Sequence, residues 1–127
     1  QLAELRLLTL KENVNVTAVT NCKFQDSILP GGNEIVTLDA PTLGADLYVC
    51  NVTDKEINAN VYVALYDADG MLVAVNCTAD TLAAYSGKSL ITGFASPGGI
   101  TTGYELKCFA WEDGNAPLTK AYSLVQR

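Results

Sequence analysis

The chain has 127 residues, 49% of them hydrophobic and 17% charged, which suffices for one domain with one core and excludes a disordered chain. Its formal net charge of −6 and eight scattered Lys and Arg residues exclude the clustered basic footprint of a nucleic-acid binder, and equally that of an anionic membrane surface. Histidine is absent, which removes the commonest general base, the usual catalytic triad and most zinc sites.

No apolar run is long enough to cross a bilayer as a helix, so no membrane insertion is expected. Residues 1–13 lack a signal-peptide pattern, because Glu4 and Arg6 interrupt the apolar stretch. A chain that begins at Gln1 without Met and stops at Arg127 is expected to be a single module, 1–127, excised from a longer polypeptide.

Along the chain the hydrophobic pattern has period two. Leu5, Leu7 and Thr9 open a first extended run, and Val14 to Val19 a second. Leu29-Pro30-Gly31-Gly32-Asn33 is turn chemistry, after which Glu34 to Leu38 alternates again until Pro41. The densest strand signal spans Ala45 to Val75. It contains Leu47 to Val52, a polar loop at Thr53-Asp54-Lys55-Glu56, and Val61 to Tyr66, which is apolar on both faces as in a central strand. Asp67-Ala68-Asp69-Gly70 then turns the chain into Met71 to Val75, a hairpin.

Thr78 to Tyr85 has fair helix propensity through Leu82, Ala83 and Ala84, but strand is favoured in this alternating context. Lys88 to Phe94 alternates, Ser96-Pro97-Gly98-Gly99 is a loop, and Tyr104 to Trp111 is a strong strand. Leu118 to Val125 is the last element. Eight to ten short strands at intervals of roughly 8–12 residues predict an all-β, antiparallel β-sandwich, with a closed barrel as the alternative.

Two blocks carry a family resemblance. Val63-Ala64-Leu65-Tyr66-Asp67, followed by Gly70 and Leu72-Val73, is one. Leu106-Lys107-Cys108-Phe109-Ala110-Trp111-Glu112 with Pro117-Leu118 is the other. Together they resemble the immunoglobulin-like or fibronectin-III-like domains carried by secreted and surface-layer proteins of Firmicutes, often beside glycoside hydrolases. The resemblance implies a secreted or cell-surface, non-catalytic accessory domain whose partners are the neighbouring domains of its parent chain. It brings no cofactor, no agreed ligand and no functional residues.

Cys22, Cys50, Cys77 and Cys108 form no C-x-x-C, so neither a zinc ribbon nor a redox motif is expected. Cys50 and Cys108 each sit in a β-like run, at a separation like that of the inter-sheet bridge of immunoglobulin domains. Yet the strand after Cys50 offers Tyr62 in place of Trp, and Leu106 stands where a Tyr is typical two residues before Cys108. Buried thiols are the competing reading.

Trp111 is a candidate platform for a sugar ring, since an aromatic face stacks on the apolar C–H face of a pyranose. It shares a strand face with Phe109, opposite Cys108, and two aromatics on one face are more often packed than displayed, so burial is expected. Tyr66 and Tyr85, each beside a turn, are the other platform candidates; a buried ring with a hydrogen-bonded hydroxyl is their structural alternative. Asp67 and Asp69 resemble the opening of a calcium loop, but Met71 and Ala79 stand where further oxygen ligands are needed, so no metal is expected. Asn15, Asn51 and Asn76 each begin an N-x-S/T sequon, expected to stay unmodified in a bacterial protein.

The leading expectation is therefore a spacer or interaction module with a featureless surface. A carbohydrate-binding module, with polysaccharide as its partner, is the alternative. An adhesin or pilin-like subunit pairing through an edge strand is a third.

Overall fold

The computed structural model of the protein describes residues 17–113 and 116–127. The run around Leu5 to Thr9, the start of the second run at Val14 and the sequon at Asn15 lie outside them. Eight strands occur among the described residues: β1 Ala18–Gln25, β2 Thr42–Asn51, β3 Ile57–Tyr66, β4 Leu72–Leu82, β5 Gly87–Ala95, β6 Glu105–Glu112, β7 Ala116–Pro117 and β8 Tyr122–Val125. They form two antiparallel sheets. The smaller has the order β1-β2-β5; the larger has β4-β3-β6, with β7 and β8 following one another along the far edge of β6. The architecture is a β-sandwich.

Period two explains how one core fills the space between the sheets. On β2 the inward set is Leu43, Ala45, Leu47 and Val49; on β3 it is Ile57, Ala59, Val61, Val63 and Leu65; on β6 it is Leu106, Cys108 and Ala110. All are buried, and each large side chain contributes roughly 1.5–3 kcal/mol relative to exposure. Side-chain hydrogen bonds close both flanks. On one, the hydroxyls of Thr20 on β1 and Tyr122 on β8 share a 2.8 Å hydrogen bond. On the other, Asn76 Nδ2 of β4 donates to the carbonyl of Gly93 on β5 at 2.7 Å.

The hairpin at 67–70 forms as its sequence dictates. Asp67 Oδ1 accepts the amides of Asp69 and Met71, both at 2.9 Å, and Gly70 takes the positive φ of 83° that a side chain resists. Asp67→Ala is expected to cost about 1 kcal/mol, because water replaces part of what the exposed amides lose. A lower urea midpoint at unchanged slope checks this.

Thr78 to Leu82 is strand, as favoured from the sequence: it is the second half of β4, held in register on β3 as far as Ile57 opposite Leu82, which overrides its helix propensity. Two elements differ from the sequence-based expectation. Glu34 to Leu38 is not a strand. Glu34 makes one isolated bridge to Gln25, and then Ile35 packs on the core while Leu38, three residues on, plugs it. Two inward side chains three apart cannot share a face of a pleated strand. The final element is split, since Leu118 dives into the core between β7 and β8.

Candidate functional site

The outward face of the larger sheet collects the residues with functional character. Register places Phe109 of β6 opposite Tyr62 of β3, and Trp111 opposite Asn60. On the other side of β3, Cys77 and Ala79 of β4 stand opposite Tyr62 and Asn60. Because Leu106, Cys108 and Ala110 take the inward positions of β6, Phe109 and Trp111 must point outward. The expectation that Trp111 is buried is therefore corrected: its side of the strand is the solvent side, and the residue is 41% exposed. Phe109 and Tyr62 lie stacked on each other, ring centroids 5.4 Å apart and planes 17° from parallel, so the aromatic strip continues from Trp111 across two strands.

A polar ladder runs beside that floor. Asn60 Nδ2 donates to Asp113 Oδ1 at 2.6 Å, Asn58 Nδ2 to Asp113 Oδ2 at 3.2 Å, and Thr81 Oγ1 to Asn58 Oδ1 at 2.8 Å. Asp113 thereby fixes two amides, and the Asn60 donor also reaches the carbonyl of Trp111 at 3.3 Å. The surface here is an open depression of about 400 Å³, lined by Asn60, Tyr62, Phe109, Trp111, Glu112 and Asp113. A second one of about 270 Å³ adjoins it across Asn60 and Asp113 and is bounded by Asn58, Ala79, Asp80 and Thr81. The pair makes a shallow trough, aromatic at one end and amide- and carboxylate-lined at the other.

At the polar end, the Thr81 amide and then Lys88, 3.1 Å away, hold the Asp80 carboxyl below its ordinary range. A lowered pKa means this contribution is present above the ordinary Asp value and fades as pH falls through the lowered one. The pair is exposed, so its effect on stability is small.

The other two platform candidates fall outside the trough. Tyr66 shares the outward face but lies opposite Glu105, six residues along β6 from Trp111 and so roughly 20 Å away. Its ring is covered by the Lys107 ammonium, 5.3 Å from the centroid. Tyr85 sits in the turn between β4 and β5 with a φ of 57° and is 70% exposed. Of the three, only Trp111 joins the cluster. Tyr62, Phe109, Asn58, Asn60 and Asp113 complete it. The available signal for Asn58, Asn60 and Tyr62 was their common parity on one strand.

The Asp67 carboxylate of the 67–70 turn is used locally, its Oδ1 holding two backbone amides. Cys50 and Cys108 do not meet. Cys50 follows the outward parity of Tyr48 on β2, while Cys108 is buried in the core from β6, so a bridge between them would have to pass through the smaller sheet. The sequon at Asn51 is closed to modification: that side chain is fully buried and its amide nitrogen donates to the carbonyls of Lys55, Leu82 and Ala83.

No family model matches the chain, and no curated protein matches it. Among solved structures, one that it resembles is the X-ray structure of the Northeast Structural Genomics Consortium target SoR45. That likeness has a TM-score of 0.42 at 10% identity, over 86% of this chain and 84% of that one.

Proposed function

We propose that the protein is a non-catalytic accessory module of a secreted or cell-surface bacterial protein, and that the outward face of its larger sheet binds polysaccharide. The observation that carries this reading is the trough: an exposed Trp111 beside a stacked Phe109 and Tyr62, with a hydrogen-bonded row of amides and a carboxylate along it. A pyranose with equatorial substituents has apolar C–H faces and a rim of hydroxyls. The exposed indole of Trp111, flanked by the Phe109–Tyr62 pair, matches the faces, and Asn and Asp groups match the rim. An open trough on a flat sheet suits a chain passing along it rather than an end held in a pit. The featureless surface expected of a pure spacer is a poorer description of this face.

The strand order supports an immunoglobulin-like sandwich of the fibronectin-III kind. The fourth strand pairs with the third, across from the β1-β2-β5 sheet, whereas in constant-type immunoglobulin domains it joins the fifth. The non-catalytic part rests on the lack of histidine and on Asp113 being engaged by two amides.

Trp111→Ala is the direct test. In affinity electrophoresis through soluble β-glucan, xylan and mannan, the native protein is expected to be retarded by at least one polymer. The variant is expected to bind about tenfold more weakly, which corresponds to the ~1.4 kcal/mol of one stacked ring. Its Tm should stay within about 2 °C of the native value, since an exposed indole contributes little to the fold. Retardation by none of the polymers would return the reading to a spacer.

A further inference from the structure

The four thiols are not equivalent. Cys50 faces outward from β2, and Cys77 is exposed on β4 opposite Tyr62. Cys22 and Cys108 point into the core from different sheets. On β1 the inward parity runs Ala18, Thr20, Cys22, Phe24, and each apolar member packs on the core. The hydroxyl of Thr20 meets that of Tyr122, and Tyr122 is the residue directly across from Cys108 on the β6–β8 ladder. Cys22 is the next inward residue along β1, which sets it beside Cys108 at the flank where the two sheets come together. In keeping with that placement, Cys22 is the first cause that raises the Cys108 thiol above its ordinary range.

We propose that Cys22 and Cys108 form a disulfide site, closed in an oxidising compartment, that rivets the edge strand β1 to β6 across the core while Cys50 and Cys77 remain thiols. The oxidant is a small-molecule disulfide of the glutathione class. The Cys22 thiolate attacks it and expels one glutathione thiolate, leaving a mixed disulfide. The Cys108 thiolate then attacks the Cys22 sulfur and expels the second. Two protein thiols thus lose two protons and two electrons, and one glutathione disulfide becomes two glutathione thiols.

In the folded protein Cys108 is fully buried, which raises its thiol above the ordinary range and closes it off, so the bond closes while the chain folds, before the core seals over Cys108. Most of the domain lies between the two residues, so the constraint on the unfolded chain is large. This site stands independently of polysaccharide binding.

The test is refolding from denaturant in a glutathione redox buffer, trapping with iodoacetamide under denaturing conditions, and non-reducing tryptic mapping by mass spectrometry. Trypsin separates all four cysteines, into peptides 12–23, 24–55, 56–88 and 108–120, because Lys23 follows Cys22 and Lys107 precedes Cys108. The expected product joins 12–23 to 108–120, with Cys50 and Cys77 alkylated. The double variant Cys50→Ser/Cys77→Ser should give the same bridge, and its oxidised form should melt at least about 10 °C above its reduced form. A different pairing in the native chain, or two alkylated cysteines in the double variant after redox refolding, would overturn the proposal.

Discussion

Replacing Asn51 by alanine is expected to lower stability by roughly 3–5 kcal/mol, a large part of what a domain of this size possesses. Asn51 ends β2 inside the protein, and its side chain does the work of a missing strand. Its amide nitrogen donates to the carbonyls of Lys55, Leu82 and Ala83 at 2.7, 3.2 and 3.1 Å. Its oxygen accepts the Thr53 amide at 2.9 Å and the Thr53 hydroxyl at 2.7 Å. One side chain thereby joins the β2–β3 loop to the end of β4. Alanine would leave several of these groups unpaired in a space that water does not readily reach, and each costs about 1–3 kcal/mol. Asn51→Asp should fare no better, because a buried carboxylate has nothing to donate to three carbonyls. Urea unfolding of both variants checks this; a loss under 1 kcal/mol would show that water takes over the network.

Gly93→Ala is expected to cost roughly 2–4 kcal/mol, opposite in sign to the gain alanine usually brings to a strand. Gly93 on β5 faces Gly44 on β2 across the ladder. A Cβ on Gly93 would stand 2.6 Å from the Gly44 Cα, against backbone that has no rotamer to change. The two strands would have to part, weakening the smaller sheet and displacing the Gly93 carbonyl from Asn76. A fall in Tm of at least about 10 °C is the expected readout. A rise would mean that the strands can separate without loss.

What the sequence reveals depends on how local the governing contacts are. The hairpin at Asp67–Gly70 is legible because the side chain, the turn and the glycine that make it lie within five residues. Alternation also states correctly that Trp111 shares a face with Phe109 and lies opposite Cys108. It does not say which face is inside, because β6 is apolar on both: Leu106, Cys108 and Ala110 on one, Phe109 and Trp111 on the other. Pairing decides the matter. Asn60 and Tyr62 come to Trp111 and Phe109 through a β3–β6 register spanning some fifty residues, a contact no local pattern encodes.

The cysteines follow the same logic. Spacing singles out Cys50 and Cys108, whereas strand parity turns Cys50 outward and topology brings Cys22 to Cys108. Ile35 and Leu38 show the converse failure, where a run that alternates on paper leaves the sheet to cap its core.

The measurement that tests the central claim most directly uses Trp111 itself, the single tryptophan of the chain, as reporter. Its intrinsic fluorescence should be followed while oligosaccharides from whichever polymer retards the protein are titrated in. A sugar ring stacked on the indole removes water from its face, so a saturable blue shift is predicted, with a midpoint matching the affinity measured by electrophoresis. Saturable binding with unchanged tryptophan emission would place the polysaccharide elsewhere and contradict the assignment of this face.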